Sequence, residues 1–142
     1  MRKLLVPIDS NTLPDSLKKL LEDFVAVMDY EVTLIYVTPI SRNQVHGDLM
    51  AFREENEALF EDLAKNMLSE VEAELKAVGI ERIQKVHVMG DPAEEILKFA
   101  EAGEFHSIAM NSRGMSAVKR LLIGSVTNKI VHHATIPVIV VK

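Results

Sequence analysis

The sequence predicts an α/β protein built on a parallel sheet. Five short apolar runs of four to six residues read as buried strands. The stretches between them carry apolar residues at helical spacing. No composition shift, internal repeat or low-complexity tract divides the 142 residues, a length that suits one domain with a core of its own. Strands alternating with helices call for parallel pairing through right-handed crossovers.

Lys3–Ile8 (KLLVPI) is the first strand, and polar, turn-prone Asp9–Thr12 closes it. From Leu13 the apolar positions 17, 20, 21, 24, 25 and 28 describe one face of a helix, with Thr12 or Asp15 as candidate caps and Pro14 suited to its first turn. Val32–Val37 (VTLIYV) is the second strand and Pro39 ends it. Residues 40–50 are polar and irregular. A long helix over 51–78 follows, whose expected buried stripe is Leu59, Phe60, Leu63, Met67, Leu68, Val71, Leu75 and Val78. Gly79 is placed to end it in a left-handed conformation. Ile83–Val88 (IQKVHV) mixes polar with apolar positions, as a half-exposed edge strand does. Asp91 then caps a helix that has Pro92 at its first position and Gly103 at its end. Ser107–Met110 (SIAM) is the fourth strand, a helix runs from Ser125 to His133, and Pro137–Val141 (PVIVV) is the fifth strand. The two most apolar early strands, 3–8 and 32–37, belong at or near the centre of the sheet.

The formal net charge is −5, yet residues 111–131 hold Arg113, Lys119, Arg120 and Lys129 and no acid, so the rest of the chain carries −9. An acidic surface disfavours nucleic acid and anionic membrane as partners. A basic segment on that background suits a small anion. With no cysteine there is no disulfide, thiolate metal site or thiol nucleophile, which fits a cytoplasmic protein. No apolar run is long enough to span a bilayer, and the first residues, MRKLLVPID, read as structure rather than as a signal peptide.

Ligands of open α/β sheets sit beyond the carboxyl ends of strands where the strand order reverses. If strands one and four are neighbours there, the loop at Asp9–Thr12 faces the loop that begins at Asn111. The second loop has phosphate-like chemistry. Gly114 lets backbone amides approach an anion, and Gly124-Ser125 precedes a helix start whose unpaired amides and dipole favour negative charge. Ser125 and Thr127 add hydroxyls, and Arg113 adds a fork-shaped cation. The same residues also fit a plain helix cap and a plain turn, and the chemistry alone leaves both readings open. Other motifs are missing: no G-x-x-x-x-G-K-[ST], no G-x-G-x-x-G and no G-x-S-x-G. His46, His87, His106, His132 and His133 show no metal-ligand spacing.

The segment Asn111-x2-Gly114-x9-Gly124-Ser125, with its S-R-G flank and K-R-L-L-I-G-S core, resembles the G-x2-G-x9-G-[ST] signature of the universal stress protein (UspA-like) family. The resemblance extends to Val6-Pro7-Ile8-Asp9, to Gly90-Asp91-Pro92-Ala93-Glu94-Glu95-Ile96, and to His133-Ala134 leading into Pro137–Val141, nearly the whole chain. It implies one domain over residues 1–142, an open five-stranded parallel sheet of order 3-2-1-4-5 with helices on both faces (Rossmann-like), and a homodimer along the last strand.

One branch of that family binds ATP. For this chain the resemblance implies Pro7 and Asp9 beside the nucleoside, Val37 offering backbone contacts to adenine, Arg113 and Gly114 along the ribose-phosphate path, and Gly124, Ser125, Val126 and Thr127 holding the phosphates. ATP, with Mg²⁺ as an optional counter-ion, is the implied cofactor. Two positions depart. Asn111 replaces the first signature glycine: Asn tolerates positive φ, but its side chain intrudes if the site needs open space, and the site then takes no nucleotide. His106 stands where the family usually has Asp, a change expected to touch a local cap or edge rather than the ligand. Two functions compete: an ATP-binding regulatory or stress-response protein, and a dimeric interaction module of the same fold without nucleotide. An ATP-hydrolysing enzyme ranks last, because no residue stands out as a general base with a positioned water.

Overall fold

The computed structural model describes residues 1–40, 47–112 and 124–142, with the side chains of 47–55 excepted. The chain runs β1 (Arg2–Ile8), α1 (Asp15–Val27), β2 (Tyr30–Pro39), α2 (Gly47–Ala77), β3 (Ile83–Gly90), α3 (Pro92–Ala102), β4 (Ser107–Asn111), α4 (Ser125–His133) and β5 (Val138–Val141). All the pairings are parallel and the order is β3-β2-β1-β4-β5. The alternation seen in the sequence therefore maps onto strands and crossover helices.

The two-residue period of a strand divides the core into two layers. Leu4, Val6 and Ile8 of β1 and Val32 and Leu34 of β2 pack with Leu17 and Leu21 of α1 and Leu68, Val71 and Leu75 of α2. On the opposite face Leu5, Ile35, Val37, Ile108 and Met110 pack with Ala93, Ile96 and Ala100 of α3 and Ile130 of α4. The two strands with the longest apolar runs sit in mid-sheet, covered on both faces, as parallel strands must be. The edge strand β3 exposes Gln84 and Lys85. The other edge strand, β5, is apolar throughout yet only half-buried.

Local signals account for most helix ends. The Asp91 carboxylate accepts the Glu94 amide at 3.0 Å, capping α3 just before Pro92. Gly79 ends α2 with φ +92°, a conformation that costs other residues a steric penalty. Three expectations need correction. α2 begins at Gly47, four residues earlier than its periodicity suggests. Neither Thr12 nor Asp15 caps α1: Pro14 occupies the N-cap, and Thr12 turns to Glu74 on α2. Within the expected α2 stripe Leu68, Val71 and Leu75 are buried, but Leu59 and Leu63 are 53% and 56% exposed. Ala64, next to Leu63, is fully buried, so the helix still covers the sheet at that level. At about 100° per residue, Leu63 and Leu59 stand well round the helix from the face that Ala64, Leu68, Val71 and Leu75 turn to the core.

His106 is a local device, as expected. Its Nδ1 accepts the Lys3 amide at 3.1 Å while its own amide donates to the Lys3 carbonyl at 2.9 Å. The ring thus extends the β1–β4 pairing at the amino ends of the two strands, away from the crevice at their carboxyl ends.

Candidate functional site

The sheet order reverses between β1 and β4. From β1 the chain moves outward to β2 and β3, then returns to β4 on the other side. Where the order of an open α/β sheet reverses, a crevice opens at the carboxyl edge between the two strands. A cavity of about 370 Å³ lies there. Pro7 and Asp9 line it from the end of β1, Val37 from β2, and Asn111 from β4. Gly124, Ser125, Val126 and Thr127 line it from the start of α4. Eight of the residues singled out in the sequence thus share one cavity. Arg113 and Gly114, the other two, lie outside the described residues.

The start of α4 carries the cavity's electrostatics. Gly124 at its N-cap has φ −61° and ψ 154°, offers no side-chain cap, and no acid stands in the first turn. The Gly124 amide donates to the Ser112 carbonyl at 2.7 Å, and its carbonyl accepts the Asn128 amide at 2.9 Å. The next three amides, of Ser125, Val126 and Thr127, have no acceptor within the helix. They form a cluster of donors at the positive end of the helix dipole, a setting that holds an anion.

Thr127 plays a different part from the one its hydroxyl suggested. It is buried, and its Oγ1 donates to the Asn111 carbonyl at 3.0 Å. The hydroxyl therefore ties α4 to the end of β4, which leaves the Thr127 amide as the donor without a helical acceptor. Asn111 itself is the last residue of β4, paired with Val141, and Glu104 is the non-glycine residue with positive φ among those described. The Asn side chain is thus not there to accommodate a left-handed backbone.

The remaining walls are apolar and were not legible as ligand contacts. Ile8, Tyr36 and Pro39 continue the β1 and β2 side, and Pro92, Ile96 and Met110 form the α3 side. Ile96 and Met110 belong to the buried core and also line the cavity. Together the site offers an apolar slot for a flat group, Asp9 at its rim, and a helix start at its far end.

Among the described residues no three His, Asp or Glu side chains gather as a metal site. His87 is engaged elsewhere, with Nε2 2.7 Å from the Thr38 hydroxyl and its ring stacked on Tyr36. Burial holds its pKa below the ordinary value, against an opposing pull from Glu61. Among the same residues no helix is long and apolar enough to cross a membrane.

The model of the universal stress protein family matches residues 1–142. The chain belongs to the universal stress protein family. The universal stress protein MJ0577 of Methanocaldococcus jannaschii is 30% identical over 154 residues, covering 99% of this chain and 94% of that protein. The MJ0577 structure superposes with a TM-score of 0.81 at 32% identity, covering 99% and 95% of the two chains. More distant members share the fold. An Arabidopsis thaliana family protein with AMP bound gives a TM-score of 0.67 at 21% identity, over 100% of this chain and 92% of that one. An Archaeoglobus fulgidus universal stress protein in complex with dAMP gives 0.62 at 16%, over 100% and 98%.

Proposed function

We propose that this universal stress protein binds an adenine nucleotide, ATP in the first place, in the crevice between β1 and β4, and that occupancy serves regulation rather than turnover. The observation that carries the reading is the start of α4. Three amide donors without helical acceptors, no side-chain cap and no acid in the first turn open onto a cavity whose other walls are apolar apart from Asp9 and Asn111. Phosphates suit the helix start, a purine suits the slot at Val37 and Ile96, and ribose hydroxyls suit the Asp9 carboxylate as acceptor. The basic segment supplies the counter-charge, with Arg113 as the forked donor. Mg²⁺, where present, accompanies the phosphates. AMP and dAMP in relatives of the same fold support this choice of ligand.

The assembly we propose is a homodimer through β5. Val138–Val141 is an apolar strand with one open edge, and such an edge favours pairing with another chain. A two-fold axis there joins two β5 strands antiparallel. Light scattering at micromolar concentration should return twice the chain mass, and a single-chain mass overturns the dimer.

One observation favours the second reading, an interaction module without nucleotide. Asn111 lines the crevice from a strand position that glycine is not needed to fill. Its side chain therefore competes with ligand for space. Asn111→Gly should strengthen ATP binding by about 1–2 kcal/mol, the scale of relieved overpacking. Calorimetry of parent and variant decides: if neither binds ATP, the nucleotide reading fails and the interaction module replaces it.

A further inference from the structure

We propose that Glu74 is a positioning residue for the crevice: from α2 it anchors the loop between β1 and α1 so that Asp9 faces the ligand. This rests on the nucleotide reading above. Asp9 lines the crevice on one side of that loop. Asp9, Ser10 and Asn11 also line a second cavity, of about 590 Å³, whose far wall includes Leu63, Met67 and Glu70 of α2. Asp9 thus stands between two open spaces, while Leu13 at the other end of the loop is buried in the core. The loop's internal tie is a 3.3 Å hydrogen bond from the Ser10 hydroxyl to Asn11 Oδ1.

The polar anchor stands one turn further along α2. Glu74 Oε1 accepts the Thr12 hydroxyl at 2.5 Å and Oε2 accepts the Leu13 amide at 3.1 Å. Lys18 of α1 approaches Oε2 at 3.6 Å. Both donors precede Pro14, the N-cap residue of α1, so the Glu74 carboxylate holds the loop rather than the helix start. Burial pushes its carboxyl pKa up, but Thr12, Leu13 and Lys18 together hold it below the ordinary carboxylate value. The ionised form is the one bound, so the anchor holds at neutral pH and is lost as pH falls through that lowered value. The Leu13 side chain is buried in the core independently of these bonds. Losing the carboxylate therefore leaves the helix docked and frees the loop's direction.

Glu74→Gln keeps the shape but sets an amide donor against one of the two donors it must accept. In calorimetry with ATP on the full chain, Glu74→Gln should weaken binding about tenfold, yet change it less than about twofold in an Asp9→Ala background. The Leu13 amide should lose hydrogen-exchange protection in Glu74→Gln. Thr12→Val, which removes one donor and spares the α2 side, should weaken binding in the same direction by less. Unchanged ATP affinity in Glu74→Gln alongside a fast-exchanging Leu13 amide overturns the inference alone. So does equal weakening with and without Asp9, which marks a purely structural role. A parent chain that binds no adenine nucleotide overturns the nucleotide reading and this inference together.

Discussion

Gly124→Val should abolish ATP binding, lowering affinity by more than about a hundredfold, while leaving thermal unfolding almost unchanged. The two halves of that expectation come from one geometry. Gly124 has φ −61° and ψ 154°, which any L-residue adopts without strain. Its amide and carbonyl bond to Ser112 and Asn128 through the backbone, so both bonds survive the substitution. Glycine here therefore serves space, not conformation. Gly124 lines the cavity immediately before Ser125 and Val126, so valine branches added there should take up ligand space and keep a phosphate from those amides. Losing two or three charge-assisted hydrogen bonds of about 1.5–3 kcal/mol each accounts for the size of the effect. Calorimetry against ATP, with a melting curve as control, reads both parts. Unchanged affinity moves the phosphates away from α4 and leaves the proposed ligand pose without support.

Leu34→Ala should destabilise the fold by about 2–5 kcal/mol, the cost of a cavity at a fully buried leucine. Leu34 sits mid-β2, on the face covered by α1 and α2, with no accessible surface. For a chain of this length the melting temperature should fall on the order of 10 °C. Leu34 lies on the sheet face opposite Val37, so ATP affinity well below the melting temperature should change little. A shift of only a degree or two would mean that the layer between sheet and α2 is loosely packed.

These two residues mark what the sequence made readable. Leu34 belongs to an apolar six-residue run, and such a run has few places to go in an α/β sheet other than the middle. Gly124 was readable through its neighbours, since a Gly-Ser pair ahead of a helical stretch fits both a cap and an anion site. Its context, an acid-free segment in an acidic chain, pointed to the same place. Relations between distant positions were not readable. Glu74 lies 62 residues from Thr12, and nothing local distinguishes it from the other acids of α2. Thr127 spends its hydroxyl on the Asn111 carbonyl, a bond that exists only once β4 and α4 meet. Leu59 and Leu63 are apolar, but they stand to one side of the face on which Ala64 and Leu68 are buried, and apolar spacing alone did not separate the two faces.

The strand order carries one more consequence, for the chain as it is made. β1 is the first strand to emerge, and it pairs on one side with β2 and on the other with β4, about a hundred residues later. A nascent chain released as far as β3 can assemble β3-β2-β1 under α1 and α2, with the inner edge of β1 still open and the Leu5 face, which α3 and α4 later cover, still bare. Non-local pairing of this kind is slow, and such an edge invites association until it is filled. The crevice needs the end of β1, the end of β4 and the start of α4 at once, so it is complete only after the second half of the sheet docks. A ligand of that crevice would recognise finished molecules and ignore half-made ones.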